Sequence, residues 1–504
     1  VTETARLPAR LDSESLADVQ GFITSGYGHL PCSAYLFLRT HEAAGARRWL
    51  HALEPLITTS SPWPTGADGV KVKPVSAVNV AFTAPGLAAS GVPARVLCTF
   101  SPEFREGIDE PSRSRVLGDT DGSSPSEWEL GTRDRAFHAV LLLHAEDAAG
   151  LDRLCAAQRR LVEQAAGAVS EVPGSLQLGY RPASEREHFG FHDGIAQPAI
   201  AGIAGHGVPT GEFILGYENH YGVMPPTPVV PGDLDPGGLL PAFANPYHAH
   251  LGLRDLGRHG SFVVYRKLRQ DVAAFWTFMK NESVNAGRGT DPAYMVWLAS
   301  KCVGRWPSGS PLALTPEEDD PRFAGRDDFM YRSDPDGLAC PLGAHVRRTN
   351  PRDVLKPYPN AQSLSMSEAH RLLRRGRAFG PPLFDPSLLQ NPAGRATREA
   401  LLDIRDDGHA RGVHFFCVNA SIRSQFEFVQ QTWCNNPRFA GLRDNKDPVT
   451  GDHGGQGQPE GRMTIPRSSG DHVTAALPRF VTIAAGAYLF MPSLTALRYL
   501  AAQR

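Results

Sequence analysis

The chain has 504 residues, long enough for roughly two to four domains and for a core that can enclose a cofactor. A formal net charge of −2, with 41% hydrophobic and 21% charged residues, is an ordinary globular balance and argues against nucleic-acid or anionic-membrane partners. Seven scattered cysteines without a Cys-x-x-Cys argue against a disulfide framework, a zinc site and a covalent c-type haem link.

No apolar run reaches the roughly 18 residues of a membrane span. Val1 to Arg10 lacks a basic-then-apolar signal pattern, so a reducing, cytoplasmic setting is expected; removal of a leader ahead of Val1 stays open.

The first elements alternate strand and helix. Ala34 to Arg39 reads as an apolar strand and His41 to Ile57 as a helix. In Ser76 to Thr83, Val78, Val80 and Phe82 alternate onto one face, predicting a half-buried strand. Phe137 to Leu143 is a continuous apolar run suited to a central strand. Asp147 is a good N-cap for a helix that aligns Leu151, Leu154, Cys155, Leu161 and Ala165. With a strand at Leu176 to Tyr180, the order β-α-β-β-α-β is the ferredoxin-like arrangement.

The stretch Phe189-Gly-Phe-His-Asp193-Gly-Ile-Ala-Gln-Pro198 follows. Asp-Gly alone reads as a turn. Set among apolar residues, Asp193 can instead be a partly desolvated carboxylate that shuttles a proton. The order Gly-x-x-Asp-Gly running into Ile-Ala-Gln-Pro resembles the signature of dye-decolorising peroxidases, a haem enzyme family. The resemblance implies that Asp193 is the acid–base residue that handles hydrogen peroxide.

Residues 201–245 form a long Gly- and Pro-rich excursion, and such loops are often functional. The pattern then restarts, with a strand at Gly260 to Leu268 and helices at Asp271 to Met279 and Ala293 to Val303. Strands are predicted at Gly412 to Val418 and Phe480 to Phe490, a helix at Ser424 to Trp433, and an irregular polar segment at Asp444 to Asp471. Two α+β units packed sheet against sheet could hold a cofactor between them. The expected division is 1–200, carrying Asp193, and 201–504. The family fold implied is a pair of ferredoxin-like modules in a dimeric α+β barrel-like arrangement, with haem b in the second.

Cys340-Pro-Leu-Gly-Ala-His345-Val-Arg-Arg-Thr-Asn-Pro-Arg352 supplies an imidazole after an apolar stretch and before several cations. It resembles the family's proximal segment, which implies His345 as axial ligand of non-covalent haem b and Arg347 and Arg352 as propionate partners. Cys340 is a rival thiolate ligand. The resemblance also points to Asp447 as the carboxylate behind His345, against its reading as a loop Asp before Pro. In Leu372-Leu-Arg-Arg-Gly-Arg-Ala-Phe-Gly380, Arg374 matches a distal arginine that would stabilise negative charge as the O–O bond breaks, with Arg375 as the fallback.

Val413 and Phe415 fall on one strand face and resemble the apolar pair that narrows the peroxide pocket; ordinary core packing accounts for them equally. Trp433, in Gln430-Gln-Thr-Trp433, resembles a surface electron relay of fungal members, while Phe426, Val429 and Trp433 at helical spacing also read as core. Phe379 stands where those members can carry tyrosine and cannot form a phenoxyl radical. Length and the Pro-rich insertion place the likeness with the larger C/D-type branches.

The implied activity is peroxide-dependent oxidation of dyes, phenols and other aromatic donors by one-electron steps. Oligomeric state stays open. A haem-binding or haem-delivery protein is the competing reading. A hydrolase using Asp193 and His345 is a third, disfavoured by the lack of a Gly-x-Ser-x-Gly elbow and of His-Glu-x-x-His spacing.

Overall fold

The computed structural model describes residues 11–503 apart from 133–134, 245–248, 356, 392–393 and 455–460. The signal-peptide reading of Val1 to Arg10 therefore lies outside the described residues, as does residue 245 at the end of the excursion.

The N-terminal strands are β1 (Cys32–Thr40), β2 (Ser76–Phe82), β3 (Ala139–Ala145), β4 (Val169–Glu171) and β5 (Gln177–Tyr180). A short pair, β6 (Val229–Pro231) and β7 (Leu253–Asp255), sits in and just after the excursion. The C-terminal strands are β8 (Ser261–Gln270), β9 (Leu373–Arg374), β10 (Arg377–Phe379), β11 (Gly412–Asn419), β12 (Gly461–Ile465), β13 (His472–Leu477) and β14 (Val481–Met491). The main helices are α1 (Ala43–Leu53), α2 (Ala148–Glu163), α3 (Val272–Asn285), α4 (Pro292–Val303), α5 (His345–Thr349) and α6 (Leu494–Ala502).

One antiparallel sheet of ten strands organises the molecule, in the order β10-β5-β1-β3-β2-β14-β8-β11-β9, with β4 beside β1. β10 also pairs with β11, so the run of pairings returns on itself. The ladders are unequal. β14 and β8 pair along ten positions, whereas β14 meets β2 at Phe490 and Phe82 alone, and β10 meets β5 at Ala378 and Tyr180 alone. At the first of these narrow joins the side chain of the buried Gln20 stands in for a strand. Its Nε2 donates to Val80 O and Pro492 O, both at 2.9 Å, and its Oε1 accepts from Val80 N at 2.9 Å. Buried backbone groups are thus satisfied where the ladder gives out.

Alternation along each strand feeds two cores. Ala34, Leu36 and Leu38 of β1 join Leu141 and Leu143 of β3 beneath α1 and α2, where Trp49, Leu50 and Leu151 cover them. Tyr35, Phe37, Val140 and Leu142 point the other way and meet Val263, Tyr265, Phe416 and Leu489. The sheet is therefore covered on both faces, which explains its near-continuous apolar runs. This corrects the half-buried expectation for β2. Val78, Val80 and Phe82 serve one core and Ala77 and Ala81 the other.

The helix starts follow capping chemistry. Asp147 accepts from Gly150 N, and Asp271 from Ala274 N. Two other expectations are corrected. The helix expected over 424–433 is wound as two π segments, Arg423–Glu427 and Val429–Cys434. The irregular segment from 444 to 471 contains β12, which hairpins onto β13; its residues 455–460 are outside the described set. Among the described residues, no helix is long and apolar enough to cross a membrane.

Candidate active site

A cavity of about 300 Å³ opens beside the sheet. Its floor is set by register. Val413 of β11, Leu268 of β8 and Ile483 of β14 lie side by side in one cross-strand row, and all three line the cavity. Phe415 and Arg266, the next cross-strand pair on that face, extend it. The pocket-narrowing and core readings of Val413 and Phe415 thus both describe side chains facing the same space.

The turn carrying Asp193 forms a second wall. Glu187 N donates to Phe191 O at 3.0 Å, and Asp193 N to Glu185 O at 3.0 Å, so the turn folds as a tight hairpin. Gly190 has φ 103°, and a Cβ there would meet Leu389 Cδ1 at 2.2 Å, so glycine is required. Asp193 Oδ1 accepts from Gly194 N at 2.6 Å and from Arg374 Nη1 at 3.3 Å. Its side chain is 48% exposed, which corrects the expectation of a partly desolvated carboxylate.

Arg374 ends β9, where it pairs with Cys417 of β11. Its N–H donates to Gln197 Oε1 at 2.9 Å, so the Gln of the Ile-Ala-Gln-Pro string locks this arginine beside Asp193. Arg375 faces away. Its guanidinium donates to Phe22 O at 3.1 Å and Ile23 O at 2.8 Å, and burial lowers it to about 10. The fallback position therefore does not face this cavity.

The third wall is α5 with the π segments. His345, the first residue of α5, lines the cavity with Val346 and Thr349. Its Nδ1 lies 2.8 Å from Asp447 Oδ2, leaving Nε2 as the ring nitrogen for a ligand. Asp447 is fully buried, and its Oδ1 accepts from Val449 N at 2.9 Å and Thr450 N at 2.8 Å. Burial pushes its carboxyl up, but the His345 ring, the Thr450 N–H and Arg348 outweigh burial and hold it well below the usual range. Arg348 clamps the surrounding loops by donating to Trp433 O at 2.5 Å and Asn436 O at 3.1 Å, and to Asn445 O.

Three expectations are corrected here. Arg347 and Arg352 do not line the cavity. Arg347 is spent on Asp334 and on Cys340 O, with Tyr331 beneath it; Arg352 is spent on Asp327 and on Phe329 O. The helical turn of α5 and the left-handed backbone at Arg352, φ 53°, carry both side chains inward. The cavity's cations are instead Arg266, Arg305, Arg371, Arg374 and Arg479. Cys340 is also remote from the cavity, and burial pushes its thiol up to about 11.

Trp433 is 4% exposed, edge-on to His370, Phe428 and Phe439, so it is not a surface residue. Sequence reasoning missed Gln197, Glu187, Gln270 and the additional arginines. Gln197 was readable as part of the motif; the others belong to no local pattern.

Residues 18–177 match the DyP_N family model, a DyP dimeric alpha+beta barrel domain. The chain is 26% identical to the dye-decolorizing peroxidase msp1 of Mycetinis scorodonius, over 96% of this chain and 87% of that one. It is 29% identical to the multifunctional dye peroxidase DyP2 of an Amycolatopsis strain, over 92% and 91% respectively. The crystal structure of a fungal DyP-type peroxidase from Auricularia auricula-judae superposes with a TM-score of 0.73 at 26% identity, covering 97% of this chain and 99% of that one.

Proposed function

The chain belongs to the dye-decolorising peroxidase family, and we propose that the cavity floored by β8, β11 and β14 is its peroxide site. The protein is a haem-dependent enzyme that reduces hydrogen peroxide and oxidises dyes and other aromatic donors. The observation that carries the site assignment is that one cavity gathers His345 backed by Asp447 together with the Asp193–Arg374 pair.

The residues fit a haem. The row Val413, Leu268 and Ile483 is apolar, Arg305, Arg371 and Arg479 line the cavity as cations for propionates, and an imidazole offers Nε2 alone. We assign His345 as the axial ligand of non-covalent haem b, with Arg305, Arg371 and Arg479 better placed for propionates than Arg347 or Arg352. When bound, the haem supplies the redox chemistry: two-electron reduction of peroxide, and recovery of those electrons singly from donors.

The chain's own work is proton transfer and positioning. The Asp193 carboxylate takes a proton from peroxide and returns it to the departing oxygen, while the Arg374 guanidinium offsets the negative charge that develops there. Asp447 holds the His345 ring in one orientation through Nδ1 and raises its basicity. Val413 and Phe415 limit what enters. A relay through Trp433 would start from a ring that is 4% exposed, with the redox-inert Phe428 and Phe439 packed against it. A haem-delivery protein needs no Asp193–Arg374 pair, so the enzyme reading is preferred.

We further read β5-β1-β3-β2 and β14-β8-β11-β10 as two ferredoxin-like units joined at the two narrow seams in a dimeric α+β barrel, with the division near residue 200. All seven cysteines are free, which suits a reducing, cytoplasmic setting.

Hemin titration tests the assignment. The parent is expected to bind one equivalent with a sharp Soret band and to oxidise an anthraquinone dye only with peroxide. His345→Ala should lose the band shape and weaken binding at least about tenfold. Unchanged binding and spectrum in that variant would reject His345 as ligand.

A further inference from the structure

Glu187 opens the turn that presents Asp193, and it lines both the main cavity and an adjoining one. Its Oε1 accepts from Phe191 N and its Oε2 from Phe189 N, each at 2.9 Å, so the carboxyl group staples the turn from within. Its remaining contact is an amide rather than a cation. Gln270 of β8 stands 2.5 Å from Oε2. That is short for N–H···O, which runs about 2.7–3.2 Å, and ordinary for O–H···O. The far end of the same amide is anomalous too, because Gln270 Oε1 is buried without a partner. A half-turn of the amide exchanges its two ends. The oxygen then faces Glu187 and can accept a proton from it. A proton on Glu187 makes this contact an O–H···O bond of ordinary length, with the amide oxygen as acceptor.

We propose that Glu187 is a protonated carboxylic acid, hydrogen-bonded to Gln270, that positions Asp193 and lets the turn present one carboxylate to the cavity instead of two. Its positioning role rests on Asp193 being the proton-transfer group proposed above; its protonation does not. Burial without a counter-cation raises Glu187 to about 7, against the pull of the Phe189 and Phe191 N–H groups and of the Gln270 N–H in the unturned orientation of the amide, and the nearby Asp193 charge adds to the rise.

Among the described residues, the charged groups that share the adjoining cavity with Glu187 are occupied elsewhere: Arg181 pairs with Glu185, Arg375 donates to Ile23 O and Arg377 to Tyr27 O. Asp193 and Arg374, joined to each other, come from the turn and β9. β11 contributes the uncharged Val413 and Phe415, and Arg266 on β8 is held by Asp119. The flanking Arg186 and His188 turn away to Pro307 O and Phe379 O.

Infrared spectra of the full chain, with and without haem, read the proton directly. In parent-minus-E187Q difference spectra, where the contribution of Glu212 cancels, a protonated-carboxyl C=O stretch is expected at neutral pH, fading as pH rises through about 7. Asp193→Asn removes the like charge, so the same band should fade at lower pH. A neutral-pH difference spectrum without the band overturns the proposal. In the haem-loaded enzyme, the ratio of E187Q to parent kcat/KM for peroxide should rise about threefold or more from pH ~6 to pH ~8.5, because only the parent gains a second negative charge. A flat ratio overturns the positioning role. If E187Q does not fold, the parent band and its shift in D193N still decide. A loaded enzyme that shows the band but turns over no donor removes the peroxidase reading and leaves the proton assignment standing.

Discussion

His345 depends on a neighbour 102 positions away in the chain, the buried Asp447 whose oxygens are saturated by the ring and two backbone N–H groups. Asp447→Ala would free Nδ1 and leave the Val449 and Thr450 N–H groups unsatisfied. The expected result is a roughly 10- to 100-fold loss of hemin affinity, checked by titration against the parent. At this level the sequence was informative wherever chemistry requires a specific residue in a specific string. Asp193, His345, Arg374 and Asp447 were each singled out that way, and the first three line one cavity with the fourth directly behind. It was uninformative for side chains whose direction depends on packing. Arg347 and Arg352 sit in the right string, yet the turn of α5 and the backbone at Arg352 point them inward. Glu187 lies two residues before the motif with nothing local to announce its burial.

Elements that repeat a simple period were legible, and those that depart from one were not. β1, β3, β8, β11 and β14 were each anticipated, as were the Asp-capped helices α2 and α3. The π segments were not, because π winding is rare and the residue types of this stretch do not distinguish an i→i+5 from an i→i+4 hydrogen bond. That winding places Trp433 inward, among Phe428, Phe439 and His370. Packing is then its main contribution. Trp433→Phe should cost about 1–3 kcal/mol of stability in thermal unfolding, while turnover of a bulky dye stays within about twofold. A large selective loss of bulky-dye turnover with unchanged stability would restore the relay.

Across the molecule, buried histidines set the acid limit. Burial lowers His188 and His453 to about 4, His414 to about 3, and His144 well below its ordinary value. The unfolded chain protonates these rings near pH 6.5 and the folded chain does not, so their stabilisation is complete above about 6.5 and is lost as pH falls toward the folded values. Glu187 and Glu212, both raised to about 7 by burial, act in the opposite sense, adding stability as pH falls from about 7 toward their ordinary range. His29, His138, His370 and His472 are lowered as well, and among the described residues the lowered histidines outnumber the acids raised by burial, so acidification below about pH 6.5 costs stability. Thermal unfolding midpoints measured from pH ~7 to pH ~5 should decline accordingly; a constant midpoint would contradict this balance.

The join at Gln20 sets this position apart from the apolar sheet positions. Leucine, isoleucine and valine can trade places in a packed strand at modest cost, because volume and face are all that neighbours read. The amide of Gln20 answers Val80 through both its donor and its acceptor while reaching Pro492, and no apolar side chain can do that. Beyond the Phe490–Phe82 pair, the join between β2 and β14 therefore draws on the chemistry of this side chain. Diverged relatives can be expected to vary most of their strand residues before they vary this one.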